Sequence, residues 1–171
     1  MTGQQIGPAL WLAGFALAMV VLAGLAAALR DTPHPRAWLT HLIVPFATIA
    51  MTLQLTIMGI GHVANNLSKA SPVHEPLHSV ESALFAITLF GLGLALAAAT
   101  VAMHARSGTP TWMTALTGMV AAGLLANAAV LGTEQVPALL AFLLWLPACG
   151  IALLRRRNHP HGAREPIPTT A

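Results

Sequence analysis

Residues 38–61 read WLTHLIVPFATIAMTLQLTIMGIG, a run of 24 positions without one Asp, Glu, Lys or Arg. A membrane-crossing helix needs roughly 20 predominantly apolar residues, and this stretch supplies them. Similar runs recur on both sides, at about 6–29, 78–103, 112–131 and 136–154. The fold expected is therefore all-α: a polytopic membrane protein whose residues 1–154 form one bundle of five transmembrane helices. Residues 155–171, RRRNHPHGAREPIPTTA, are polar and contain three prolines, and are expected as a disordered basic tail in the cytoplasm.

Composition supports the same solvent. Of 171 residues 56% are apolar and 8% charged, against roughly 25% charged in a soluble domain, so lipid rather than water surrounds most of the chain. The first run is preceded by MTGQQ, which has no basic n-region, and it is too long for a signal peptide, so it is read as a retained span. The net charge of +3 carries no nucleic-acid signal, because the basic residues cluster at span ends, where they orient the chain. One cysteine, Cys149, excludes an internal disulfide and a CxxC motif, and its place within the fifth run points to packing.

Orientation follows from charge. With five spans, the first loop, third loop and tail share one side and hold Arg30, Arg36, Arg106, Arg155, Arg156, Arg157 and Arg164, whereas the other side holds only Lys69. Seven against one places the N-terminus outside and the C-terminus in the cytoplasm of a cell inner (plasma) membrane. Glu75, Glu81 and Glu134 also fall outside, and Trp11, Trp38 and Trp112 stand near span ends as interfacial anchors.

The opening run also carries a pattern. At about 100° per residue, His41, Thr48, Thr52, Thr56, Gly59 and His62 occupy about a third of the helix circumference, with Met51 and Met58 at one edge. Lipid cannot satisfy polar atoms, so this stripe is expected to face other helices or a cavity, as a packing surface or the wall of a polar path.

A second pattern lies in the connection that follows, HVANNLSKASPVHEP, and its flanks. His62, His74, His78, Glu81 and Met58 fall at one mouth of the second and third spans. Imidazole suits zinc and copper, and a thioether shifts preference toward Cu(I), so these five residues are the candidate ligands of a copper or zinc site. Within the loop, His74-Glu75-Pro76-Leu77-His78 has HExxH spacing and resembles the zincin metallopeptidase signature over five residues. That resemblance implies two zinc-binding histidines on one helix and a glutamate base; Pro76 inside the motif predicts instead that His74 and His78 do not share a regular helix. No catalytic residue is assigned.

The alternative cofactor is haem b. An antiparallel second and third span brings His62 toward His78 at one end and His41 toward His104 at the other, the two pairs a bis-histidine cytochrome needs. His41 and His62 are about 31 Å apart along a helix, which places both pairs at the membrane interfaces. Three classes of function remain: a copper- or zinc-binding or transport-type protein, a haem-b redox subunit, and an accessory subunit that acts through other membrane subunits. Lipid is the partner common to all three.

Overall fold

The computed structural model describes residues 3–30, 36–69, 71–106, 109–130 and 136–158. Among the described residues five α-helices follow one another: α1 (Gly3–Arg30), α2 (Thr40–Asn66), α3 (His74–His104), α4 (Thr111–Ala129) and α5 (Val136–Asn158), with a 3₁₀ turn, Ala37–Leu39, leading into α2. No strand occurs among the described residues. Four stretches, Leu12–Arg30, Ala37–Asn66, His74–His104 and Thr111–Ala129, are long and apolar enough to cross a membrane, and Leu140–Arg155 of α5 is a shorter apolar stretch. The chain thus has the make-up of a multi-pass membrane protein.

The helices outrun the apolar runs. α2 continues past Gly61 to Asn66, α3 starts at His74, and α5 continues to Asn158, so Arg155, Arg156 and Arg157 lie on its final turn. Helical hydrogen bonding does not stop where lipid would, and neither Pro45 in α2 nor Pro147 in α5 ends its helix. The Trp11 side chain, the loop at 31–35, Glu134 and the tail beyond Asn158, all used in the charge and anchor reading, lie outside the described residues.

α3 is the centre of the bundle. It packs along α2 on one side and α4 on the other, while α1 contacts α2 and α5, and α5 contacts α4, so the outer helices surround it. Its buried face interleaves small residues, among them Gly91, Gly93, Ala95, Ala98, Ala99 and Ala102, with Leu89, Leu92, Leu96 and Met103. In a membrane, lipid tails are as apolar as leucine, so close van der Waals fit rather than escape from water holds helices together. Gly93 shows how tight that fit is. A Cβ there would stand 2.8 Å from the Leu125 side chain and 3.3 Å from the Leu125 backbone nitrogen.

Polar atoms inside the bundle are mostly answered locally. Thr88 and Thr117 are fully buried, and their hydroxyls donate to the carbonyls of Leu84 (3.0 Å) and Met113 (2.8 Å) on their own helices. Thr117 also accepts from the indole Nε1 of buried Trp145 at 2.9 Å, which ties α4 to α5. The Arg106 guanidinium donates to the carbonyl of Ala28, one of the last four carbonyls of α1, where a cation also complements the helix dipole. Outside, Leu17, Val20, Ile87, Phe90, Met119 and Leu144 are exposed, an apolar jacket suited to lipid. Trp38 and Trp112 are exposed near the starts of α2 and α4, as interfacial anchors stand.

Candidate metal centre at the α2–α3 turn

The site is set by how α3 begins. Ser71 opens a turn in which the His74 amide donates to the Ser71 carbonyl (3.1 Å), and the Leu77 amide then donates to the Val73 carbonyl (3.1 Å) as the first full helical bond. Pro76 therefore occupies the first turn of α3. The first amides of a helix have no intrahelical acceptor, so a missing donor costs nothing there, and the carbonyl its ring would crowd belongs to Pro72, before the helix. The break expected at Pro76 does not occur: His74 and His78 stand one turn apart on a continuous helix.

That spacing brings the two rings together. The imidazole centroids of His74 and His78 are 4.7 Å apart in an edge-to-face arrangement, with planes inclined by 64°. Two imidazoles sharing one ion at about 2.0–2.1 Å per bond would have centroids roughly 4.5–5.2 Å apart for bond angles between about 90° and 109°. The observed spacing falls inside that range.

Glu81 completes the arrangement from the next turn of α3. Its Oε2 lies 3.1 Å from His78 Nδ1, a contact that is only partly solvent-covered. A carboxylate at Nδ1 favours the tautomer in which Nδ1 carries the proton and donates it, leaving the Nε2 lone pair free. The other oxygen, Oε1, rests against α2: a Cβ built on Gly61 would stand 2.8 Å from it. Gly61 is buried and has no side chain of its own to occupy that space.

The remaining expected ligands stand apart. His62 is exposed and turned along its own helix, where Asn66 Nδ2 lies 3.3 Å from its Nε2 and donates to its carbonyl at 2.8 Å. Met58 is half-buried one turn earlier on α2. Among the described residues no three His, Cys, Asp or Glu gather closely enough to hold one metal ion. Helical register explains the division. His62 follows buried Gly61 by about 100° of rotation, which carries its ring out of the α2–α3 seam. For the haem reading, His41 and His104 are both exposed at the opposite end of the α2–α3 pair, and neither has a hydrogen-bond, ion-pair or ring partner among the described residues.

The threonine stripe of α2 does not face the bundle. Thr48, Thr52, Thr56, Gly59, His41 and His62 are all exposed, while Ile43, Ala47, Ala50, Gln54, Ile57, Gly61 and Ala64 form the packed face. The expectation of an inward stripe is thus corrected. Its physical basis fails because each hydroxyl is satisfied without a neighbour: Thr48, Thr52 and Thr56 donate to the carbonyls of Val44, Thr48 and Thr52 at 2.9–3.0 Å.

Two polar features escaped the sequence reading. Gln54, the lone amide of the run 38–61, is 6% exposed, and its Oε1 is buried without a hydrogen-bond partner among the described residues. An isolated glutamine between two leucines was the available signal. At the far end of the bundle, a cavity of about 50 Å³ between α1, α3, α4 and α5 is lined by Leu25, Leu29, Met103, Met113 and Leu153, with Thr109 contributing a buried hydroxyl that has no hydrogen-bond partner among the described residues. It is apolar and holds none of the titratable groups discussed above. No family model, curated protein or solved structure matches this chain.

Proposed function

We propose that this chain is a five-span protein of the cell inner (plasma) membrane, N-terminus outside, that binds a zinc or copper ion at its outer face. The ring of His74 and Nε2 of His78 supply two bonds, Glu81 holds His78 in the binding tautomer, and water or a donor from elsewhere completes the sphere. One observation carries the reading: the paired rings at 4.7 Å with a carboxylate on the far nitrogen of one of them. Histidine ligands to metals habitually donate their other N–H to a carboxylate in this way. With no thioether in the pair, the donor set suits Zn²⁺ or Cu²⁺ better than Cu(I). The threonine face of α2 points away from the bundle, which favours binding at the surface over conduction.

The test is metal analysis and an absorption spectrum of protein purified in mild detergent without chelators. One zinc or copper per chain, lost on chelation and restored on addition, is the expected result; a Soret band would instead support haem. The exposed Thr48–Thr52–Thr56 face favours a second reading, an accessory subunit, since small and hydroxylated residues at this spacing let another membrane helix approach closely. Metal-free protein recovered with a stoichiometric second polypeptide is the outcome that decides for it.

Topology has its own check. A cysteine at Lys69, in the exposed turn after α2, is expected to react with a membrane-impermeant maleimide in intact cells, whereas one at Arg157 is expected to react only after permeabilisation. The reverse pattern overturns the outer placement of the site.

A further inference from the structure

The carboxylate of Glu81 does two things at once: Oε2 meets His78 Nδ1 at 3.1 Å, and Oε1 occupies the space where a side chain at Gly61 would be. We propose that Gly61, on the neighbouring helix, is the positioning residue of the metal site. Its bare Cα is the seat that holds Glu81 on Nδ1 and so fixes Nε2 as the nitrogen left for metal. The inference rests on the binding reading above and adds a residue with no donor atom of its own.

The geometry separates this role from packing. At Gly93 a Cβ would press on the Leu125 backbone nitrogen as well as its side chain, so the helices themselves would have to move. At Gly61 the three nearest atoms are all from the Glu81 carboxyl group, at 2.8, 3.4 and 3.7 Å. This is the free end of a flexible side chain, which swings away at little cost to the fold. Alanine is also the better helix former, so the α2 backbone carries no penalty. What a methyl at 61 removes is the place of the carboxylate. Released from it, His78 loses the acceptor that selects Nδ1–H and samples the other tautomer, in which Nε2 carries the proton and cannot bind metal. Gly59, two residues earlier on the same helix, has nothing within 4 Å of a built Cβ and serves as the matched control.

Imidazole ¹⁵N shifts of His78, recorded on metal-free protein at a pH where the ring is neutral, read the tautomer directly. Wild type and Gly59→Ala are expected to show Nδ1–H; Gly61→Ala is expected to show a mixture rich in Nε2–H, with zinc affinity lowered about 10- to 100-fold, the usual range for losing an orienting partner. In a Glu81→Gln background, Gly61→Ala should add nothing further. Glu81→Asp, which draws the carboxylate back by one methylene and leaves α2 untouched, should reproduce the tautomer change even if Gly61→Ala is poorly recovered. An unchanged Nδ1–H signal in Gly61→Ala or in Glu81→Asp overturns the proposal, as does an equal shift in Gly59→Ala. Because the tautomer is read without metal, failure of zinc or copper binding in wild type would sink the functional reading and leave this result standing by itself.

Discussion

His78→Ala is expected to lower zinc or copper affinity by about a hundredfold or more, the largest functional effect of any single change in this protein. His74 and His78 lie one helical turn apart with ring centroids at 4.7 Å. Once one imidazole has bound, the second closes on the same ion from a rigid scaffold, at an effective concentration far above that of a free ligand. Removing either ring turns a chelate into a single bond, so His74→Ala should fall close to His78→Ala, and the double variant should lose little more. Isothermal titration of detergent-solubilised protein measures this. Glu81→Gln is the graded member of the series, because it keeps both rings and removes only the charge at Nδ1, and about 10- to 100-fold is expected. Affinity unchanged in the double variant, with insertion and helix content intact, would place the metal elsewhere.

Trp145→Ala is expected to cost about 3–5 kcal/mol of bundle stability, the scale for emptying a packed aromatic site. Trp145 is 1% exposed, lies parallel to Phe142 with centroids 5.9 Å apart, and donates from Nε1 to the buried Thr117 hydroxyl on α4. The cavity left would sit between helices that close van der Waals fit does most to hold together. Trp145→Phe separates the two contributions: most of the volume stays, and loss of the hydrogen bond costs about 0.5–1.5 kcal/mol. Thr117 keeps its own bond to Met113, so no donor is stranded. Unfolding of α5 from the bundle, followed by Cys149 reactivity in all three proteins, reports the difference. Cys149 is buried beside this core and should become reactive as α5 separates. Equal stability of wild type and Trp145→Ala would show that α5 is not held by this contact.

The helices could be read in advance because a lipid-spanning segment advertises itself: every backbone polar group is satisfied within the helix, so an uncharged apolar run of sufficient length has one outcome. Residues 38–61 needed no neighbour to be read as α2. The candidate site was legible only in part. The residue types and their placement beside one turn marked His62, His74, His78, Glu81 and Met58 together. The rotation of His62 out of the seam depends on which face of α2 meets α3, and helices that are apolar on every side leave that choice open. Threonine misled for a different reason. Its hydroxyl can turn to a carbonyl four residues back, so a polar stripe on paper became, in Thr48, Thr52 and Thr56, a surface that asks nothing of its surroundings.

Apolar run length and the distribution of arginines were enough to define an all-helical membrane chain and to point at the histidine-rich turn. Tertiary packing alone decided that Gly61 lies under Glu81, that His62 turns away from the seam, and that the threonines face outward; the pairing of His74 with His78 is local, set by one turn of α3. The reason is that hydropathy acts on each helix separately, whereas these outcomes depend on the rotation of one helix against another, which close approaches such as Gly91 to Ala50 and Gly93 to Leu125 set: a Cβ added at either glycine would stand only 3.4 Å or 2.8 Å from that neighbour.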